Sequence, residues 1–323
     1  MKNLLLAISA TAIVTAAPLG AQAADDYPSK PITMLIGFAP GGGSDIVGRV
    51  IASHMARTLH TKVIVENKVG AGGGIAAQAL TRDQPDGYTI MLSTIGALAV
   101  NPHLDTHAGY NPEKDFSCIS LAAELPVVIV ANTATGLNSL EDLDAALEKT
   151  NTLSYGSSGI GSAGHLAGEL YKQMRHIQGF THVPYRGGMP AMNDLLGNNV
   201  PILFSAISEV VPHIRGGKIK ALAVTSLHRA PLLPEVKTLD ESGLAGFNAT
   251  SWYGFVAPVG TPAPIIDKLN KAIVAALADK KVVEVMSRSG MTPLPSSPKE
   301  MQDYMTSESE KWGKLIEDAH IRP

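Results

Sequence analysis

The chain has 323 residues, and its 26 Lys and Arg residues against 29 Asp and Glu residues give a formal net charge of -3. This balance lacks the basic surplus of nucleic-acid-binding proteins, and an aromatic content of 5% argues against a sugar binder, because sugars are usually held between aromatic faces. The length exceeds the size at which one hydrophobic core usually divides, so we expect two domains.

The first 23 residues have the pattern of a cleaved export signal. Lys2 is followed by an apolar run from Leu4 to Ala17 and then by the small-residue sequence Ala21-Gln22-Ala23. The apolar run is too short for a comfortable membrane span. No cysteine follows the cleavage site to carry a lipid anchor. We therefore expect a mature protein that begins at Ala24 and resides in the periplasm without an anchor.

The first half of the mature chain repeats a strand, a glycine-rich turn and a helix. Strands that alternate with helices at this pace indicate an α/β protein with a mostly parallel sheet and helices on both faces. In such sheets ligands bind beyond the carboxyl ends of the strands. Ser44 or Asp45 is expected to cap the first helix. The predicted elements are strand 32–37, turn 38–45, helix 46–59, strand 63–66, turn 67–74, helix 75–81 and strand 88–93.

The second half repeats this architecture and then returns to the first unit. Pro258 to Pro264 breaks the chain before two C-terminal helices. The predicted elements are strand 126–131, a helix from Ser139, strand 152–155, turn 155–165, helix 163–171, strand and turn 182–188, helix 190–196, strands 200–204, 219–225 and 252–257, and helices 265–278 and 300–318.

The turn Tyr-Gly-Ser-Ser-Gly-Ile-Gly-Ser-Ala-Gly-His at residues 155–165 has the composition of an anion-binding site. Glycine lets a ligand approach the backbone closely, and serine supplies hydroxyl groups. The first N–H groups of the following helix have no intrahelical partner and attract a carboxylate or phosphate. A capped turn without a ligand remains an open alternative.

Enzymatic and cofactor interpretations of this turn lack their required partners. Gly159, Gly161 and Gly164 fit GxGxxG, but no acidic residue follows about 20 positions later, as a dinucleotide site requires. No serine is centred in GxSxG. His165 and Glu169 are one helical turn apart, and two ligands do not make a metal site. We therefore predict no enzyme, no metal and no cofactor.

Several stretches together resemble a known family, the Bug group of periplasmic solute-binding proteins of tripartite tricarboxylate transporters. They occur in order along essentially the whole mature chain. They are FAPGGGSD at 38–45, VENKVGAGG at 65–73, DGYT at 86–89, YGSSGIGSAGHLAGE at 155–169, HVPYRG at 182–187, GGKIKALAVTS at 216–226 and WYGFVAPVGTP at 252–262.

The resemblance implies two α/β lobes that close on a ligand like a flytrap. Lobe 1 would comprise residues 24–126 and 252–323, and lobe 2 residues 127–251. The implied ligand is a small carboxylic acid, and the implied partners are a small and a large membrane subunit that receive it from a monomer. A sensor that binds the same ligand and docks on a signalling receptor remains an alternative, because both roles need the same flytrap.

The resemblance also implies where the carboxylate binds, namely between the turn 38–45 and the turn 157–165. The expected contacts are backbone groups of the first turn, with hydroxyl groups and a histidine of the second. The full set of candidate ligand-binding residues is Phe38, Ala39, Gly41, Gly43, Asp45, Ser93, Ser157, Gly161, Ser162, His165, Tyr185 and Ser205.

Ser205 departs from the family pattern, in which many members carry Asp after the phenylalanine. A serine is neutral and offers a donor and an acceptor, whereas burying an unpaired ammonium group costs several kcal/mol. The sequence therefore predicts that acids with a neutral, aromatic or carboxylate distal end bind better than α-amino acids of the same length. The alternative is that another carboxylate, such as Glu209, reaches the same space.

Overall fold

The computed structural model describes residues 27–104, 108–150 and 152–322. The predicted export signal lies outside these ranges. The strands are β1 (Ile32–Ile36), β2 (Val63–Asn67), β3 (Thr89–Thr94), β4 (Phe116–Leu125), β5 (Val127–Asn132), β6 (Ser154–Ser157), β7 (Thr181–Pro184), β8 (Ile202–Ala206), β9 (Ile219–Val224), β10 (Ser251–Pro258) and β11 (Thr292–Pro293).

The helices alternate with these strands as the sequence predicted. Short 3₁₀ turns occur at Ala71–Gly73 and Thr133–Thr135, and a π-helical turn at Gly96–Val100. The α-helices are α1 (Gly43–Thr58), α2 (Gly74–Leu80), α3 (Asn101–Leu104), α4 (Pro112–Asp115), α5 (Leu140–Lys149), α6 (Ala163–Arg175), α7 (Gly188–Leu196), α8 (Ile207–Arg215), α9 (Ala263–Ala278), α10 (Lys280–Arg288) and α11 (Pro298–Asp318).

The strands form two sheets, and each sheet is mixed. The first has the order β11-β4-β10-β3-β1-β2, and the second has the order β7-β6-β8-β5-β9. Strands β2, β1 and β3 are parallel to one another, as are β7, β6 and β8. The remaining pairs are antiparallel. The two-sheet α/β architecture is thus confirmed, whereas the expected mostly parallel pairing holds only for the part of each sheet formed by consecutive strand–helix repeats.

The chain crosses between the sheets at two places, which produces the antiparallel strands. Pro126 alone separates β4 in the first sheet from β5 in the second. A long irregular segment then leads from β9 in the second sheet to β10 in the first. The first strand after each crossing, β5 or β10, is antiparallel to the parallel strands of the sheet that it joins. The lobe boundaries at 126 and 251 stay a prediction.

The sequence analysis missed β4, α8 and α10, and also the short elements α3, α4 and β11. Strand β4 carries Cys118 and a run of small and polar residues, so it lacks the Val- and Ile-rich pattern of the other strands. Helix α8 contains Pro212, a residue type that usually interrupts a helix. Helix α10 follows α9 with only Asp279 between them, and this residue caps α10 by accepting hydrogen bonds from the N–H groups of Lys281 and Val282.

The C-terminal helix α11 is attached to the first sheet by a buried carboxylate. Glu308 is only 6% exposed and accepts hydrogen bonds from Trp252 Nε1 at 3.0 Å and Trp312 Nε1 at 2.8 Å. Lys311 Nζ also contacts this carboxylate. Strand β10 and helix α11 are therefore held together by polar contacts inside an apolar interface. Among the described helices, none has the length and apolar character needed to cross a membrane.

Candidate ligand-binding site

The carboxyl ends of the parallel strands in each sheet lie at one edge. In the first sheet, β1 and β3 lead into the turn after Gly37 and into the π-helical turn. In the second sheet, β6 ends at Ser157 beside β8, which ends at Ala206. Most of the predicted site residues therefore lie at the strand ends where α/β sheets bind ligands.

The first turn presents an uncapped helix N-terminus. The N-cap of α1 is Gly42, and no side chain accepts a hydrogen bond from the first turn of this helix. The expected cap by Ser44 or Asp45 is wrong, because the helix begins at Gly43 and both residues already lie inside it. The amide N–H groups of the first turn therefore remain available to an external acceptor.

Asp45 fixes the conformation of this first turn through hydrogen bonds. Its carboxylate accepts hydrogen bonds from Gly41 N at 2.9 Å, Asn67 Nδ2 at 2.9 Å and Arg49 Nε at 2.9 Å. The Arg49 hydrogen bond is the main cause that lowers the pKa of Asp45 to about 2. Because Asp45 is buried and fully engaged, it is better suited to fix the turn than to contact an anion.

The second turn has a capped helix and a fixed loop. Ser162 is the N-cap of α6, and its hydroxyl accepts a hydrogen bond from His165 N at 3.2 Å. Gly161 N donates to His165 Nδ1 at 3.1 Å, which places the proton of a neutral His165 on Nε2. Gly161 has φ +72°, a conformation that favours glycine. This turn therefore offers hydroxyl and imidazole donors in place of a bare helix end.

A stacked histidine pair supports the second turn. The rings of His165 and His182 are 3.8 Å apart with an interplanar angle of 13°. His182 Nε2 is 2.7 Å from Ser157 Oγ, and Ser162 Oγ is 3.3 Å from the same hydroxyl. The Ser157–His182 contact resembles a nucleophile and base. However, Ser157 is completely buried, and its hydroxyl also contacts both the N–H and the carbonyl of Gly159. These contacts suit a structural hydroxyl.

The histidine pair should make folding stability fall in mild acid. Burial lowers the pKa of His165 to about 4, and burial together with the neighbouring His165 lowers the pKa of His182 to about 3. Unfolded histidines bind protons near pH 6.5, whereas these folded rings do not until the pH falls to about 4. The unfolded state therefore binds more protons in this window, and stability present above pH 6.5 is lost as the pH falls.

We expect His182→Gln to weaken this pH dependence. Between pH 7 and pH 5, the wild-type protein should lose about 1 to 2 kcal/mol more than the variant, since one histidine titration is removed. Urea unfolding of both proteins at the two pH values measures the difference. Equal losses in the two proteins would show that His182 titrates normally in the folded state.

His165 and Glu169, which were considered above as metal ligands, form hydrogen bonds with other protein groups. Glu169 accepts hydrogen bonds from Tyr155 Oη at 2.7 Å and from Lys172 Nζ at 2.8 Å. His165 Nδ1 already accepts from the backbone. In the described ranges, no group of three or more His, Cys, Asp or Glu residues could hold a metal ion. The hydrogen bonds of His165 and Glu169 instead stabilise the first turns of α6.

Each turn packs against an element from another part of the chain. A Cβ added to Gly161 would overlap Leu104 of α3, so the second turn lies directly against an element of the first sheet. Tyr253 in β10 lies beside the start of α1, since its hydroxyl would be 3.7 Å from a Cβ on Gly43. Burial and then the charge of Glu209 raise the pKa of Tyr253 to about 12. Tyr253 therefore lies at the first turn, close enough to the Glu209 charge for its pKa to respond.

Tyr253 and His182 lie beside predicted site residues, and the sequence analysis gave neither of them a role. Tyr253 lies in a segment that was predicted only as a strand. His182 lies in the HVPYRG stretch, which was used only for the family resemblance. The motifs WYG and HVPY contain both residues, but only the fold brings these motifs to the turns.

The structure gives different surroundings to the other predicted residues. Ser93 is 1% exposed, and its hydroxyl has no hydrogen-bond partner among the described residues. Tyr185 Oη donates to Asp194 at 2.8 Å, so its hydroxyl proton is committed. Phe38 is half-buried, with its ring near Gly73, and Ala39 is exposed. These positions keep their contact roles as predictions.

Ser205 has a negatively charged neighbour at the place where the distal end of the ligand was expected to bind. Its hydroxyl donates a hydrogen bond to the carboxylate of Glu209, four residues later in α8. The expectation that no negative charge lies beside Ser205 is therefore wrong, because the first turn of α8 brings the Glu209 carboxylate to its hydroxyl. The serine proton is used on the protein, and only acceptor capacity remains.

A separate cavity of about 400 Å³ lies between β9 and the start of α5. Lys220 and Lys237 line it together with Glu141 and Glu235, so its charges have both signs. The α5 N-terminus is closed by a capping box in which Ser139 and Asp142 satisfy the helix N–H groups and those of the cap. This cavity is a poorer anion site than the α1 N-terminus.

The chain matches known proteins over nearly its whole length. The family model for the tripartite tricarboxylate transporter family receptor matches residues 47–321. The structure of the periplasmic binding protein BugD is 38% identical, with a TM-score of 0.76, and the alignment covers 92% of this chain and 99% of BugD.

Two further solved structures hold small dicarboxylates. The R. palustris protein Rpa4515, solved with adipate, is 31% identical over 92% of this chain and 100% of its own, with a TM-score of 0.80. MatC from Rhodopseudomonas palustris, with bound malate, is 31% identical over 90% of this chain and 100% of its own, with a TM-score of 0.75. The family match includes strands of both sheets and the second turn, and the chain belongs to the tripartite tricarboxylate transporter receptor family.

Proposed function

We propose that this protein captures a small organic carboxylate in the periplasm and delivers it to the membrane subunits of a tripartite tricarboxylate transporter. The observation that supports the proposal is a pair of glycine-rich turns at strand ends, one in each sheet, and we propose that they lie on opposite sides of one cleft. One turn is the uncapped N-terminus of the 16-residue helix α1, and the other supplies Ser162 and His165 beside the start of α6. The relatives solved with adipate and malate support a carboxylate as the ligand class.

Neutral donors can hold the carboxylate without a full positive charge. The helix macrodipole places partial positive charge at the first turn of α1. Each hydrogen bond to a charged group contributes about 1.5 to 3 kcal/mol, so three or four such contacts are enough for micromolar binding at about -8 kcal/mol. The proposed donors are the backbone N–H groups of Gly43 and Ser44, the hydroxyls of Ser162 and Tyr253, and Nε2 of His165.

Binding without chemical conversion fits the site residues. The buried Ser157 hydroxyl is held by the backbone of its own turn and cannot reach a ligand without moving. Among the described residues, no carboxylate hydrogen-bonds to His182 to complete a catalytic triad. We infer that the protein acts as a monomeric carrier that is exported through its N-terminal signal and hands the ligand to two membrane partners.

The proposal predicts that a small carboxylate stabilises the folded protein. At 100 times its dissociation constant, a ligand that binds only the folded state adds about 2.7 kcal/mol. A thermal-shift screen over di- and tricarboxylates, hydroxy acids, amino acids and aromatic acids should find a ligand, and calorimetry should give one site per chain. Tight binding of a sugar or a nucleotide, with no response to any carboxylate, would refute the proposal.

A further inference from the structure

We infer that Glu209 and Ser205 form a donor-selecting end of the cleft, which favours carboxylic acids that carry an ammonium or hydroxyl group over dicarboxylates of the same length. This inference rests on the proposed function and specifies its ligand class. It reverses the selectivity that the sequence predicted from Ser205 alone.

The position of this pair follows from the packing of the second sheet. Gly164 in the first turn of α6 lies directly against the carbonyl of Phe204, because an added Cβ would overlap that oxygen. Ser205 is therefore the neighbour of the second turn. Glu209 lies in the first turn of α8, and its carboxylate lies against Gly188 at the start of α7. The pair is therefore at the carboxyl end of β8, beside the second turn that is proposed to hold the carboxylate.

The Glu209 carboxylate forms few hydrogen bonds with the protein. Its hydrogen bond from Ser205 is the only one that it accepts from the described residues, and none of their Lys, Arg or His side chains forms an ion pair with it. A Cβ on Gly188 would overlap this carboxylate, so it packs against the backbone at the start of α7. The side chain is half-buried, and it therefore retains acceptor capacity at a partly dehydrated position.

The hydrogen bond between Ser205 and Glu209 determines which chemical groups are favourable at the distal end of the ligand. The Ser205 proton is donated to Glu209, so both residues present acceptor lone pairs to a ligand. An ammonium or hydroxyl group supplies the missing donor, and an ammonium group also supplies the opposite charge. A second carboxylate would meet acceptors and a like charge, which is unfavourable at short range.

A purely structural role for Glu209 is the competing explanation. As an acidic residue in the first turn of α8, it interacts favourably with the helix dipole whether or not a ligand is present. This role predicts that changing Glu209 alters stability and leaves ligand preference unchanged. Glu209→Gln separates the two roles, since glutamine keeps the size and an acceptor for Ser205 and removes the charge.

The test compares ligands of equal length by calorimetry. The pairs are 4-aminobutyrate against succinate and 6-aminohexanoate against adipate, with 4-hydroxybutyrate as a neutral donor. In the wild-type protein, the amino acid of at least one pair should bind at least about tenfold more tightly than its dicarboxylate. Glu209→Gln should reduce this ratio at least about tenfold. Glu148→Gln, at an exposed glutamate of α5, should leave the ratio unchanged.

Each contrary outcome has a distinct meaning. Tighter binding of both dicarboxylates, or an unchanged ratio in Glu209→Gln, overturns the inference while the carboxylate-binding function stands. Binding of other carboxylates with no response to either amino acid or to 4-hydroxybutyrate also overturns it. If no carboxylate of any kind binds to the folded protein, the proposed function fails and the inference fails with it.

Discussion

Ser162→Asp is expected to abolish carboxylate binding while the folding stability stays close to that of the wild-type protein. Aspartate is among the best N-cap residues, so it can replace the serine hydroxyl that accepts the hydrogen bond from His165 N. It also places a second carboxylate where the ligand should bind. Two unit charges 4 Å apart repel by about 4 kcal/mol near a protein surface, which is on the order of a thousandfold in affinity.

Ser162→Ala is the matched variant. Loss of the cap should destabilise the protein by about 1 kcal/mol, and loss of one donor should weaken binding by about 1 to 3 kcal/mol. Urea unfolding and calorimetry on both variants measure these effects. The turn would have no ligand if Ser162→Asp bound the acid as tightly as the wild-type protein.

Glu308→Leu should cause the largest loss of stability, about 3 to 5 kcal/mol. Glu308 accepts hydrogen bonds from the indole N–H groups of both Trp252 and Trp312 and contacts Lys311. Leucine would leave two buried donors without acceptors and one ammonium group without its counter-charge. Strand β10, which carries Tyr253 into the cleft, would lose its main polar attachment to α11.

Glu308→Gln is the control for this network. Its amide oxygen can still accept from the indole groups, so it should retain more than half of the stability that leucine loses. Urea unfolding of the three proteins at pH 7 gives the comparison. A loss below about 1 kcal/mol in Glu308→Leu would mean that apolar packing alone holds α11 in place.

The repeated strand–turn–helix units made most of the fold predictable. Glycine-rich turns after apolar strands have few alternative structures, so the elements around 38–45 and 155–165 were predicted with errors of a few residues. The errors occurred where long-range pairing overrides local pattern. Strand β4 is a strand because β10 pairs with it along its full length. Its own sequence has no strong period.

The site was predictable only where its residues are adjacent in sequence. Ser162 and His165 interact within four residues, so the motif contains their geometry. The pairing of Ser205 with Glu209 depends on where β8 ends and α8 begins, and the sequence analysis placed no helix there. The stacking of His165 on His182 joins two strand–turn units that only the parallel pairing of β6 with β7 brings together. Local sequence patterns therefore predict the proposed hydrogen-bond donors to the carboxylate. The proposed ligand selectivity depends on residues that only the tertiary structure brings together.

The most direct test of the account is a crystal structure of the protein with the acid that gives the largest thermal shift. We predict one ligand in the cleft, with a carboxylate about 3 Å from amide nitrogens at the start of α1 and from Ser162 Oγ. An acid bound elsewhere, for example beside Lys220 and Lys237 in the cavity near α5, with solvent alone between the two turns, would contradict the account.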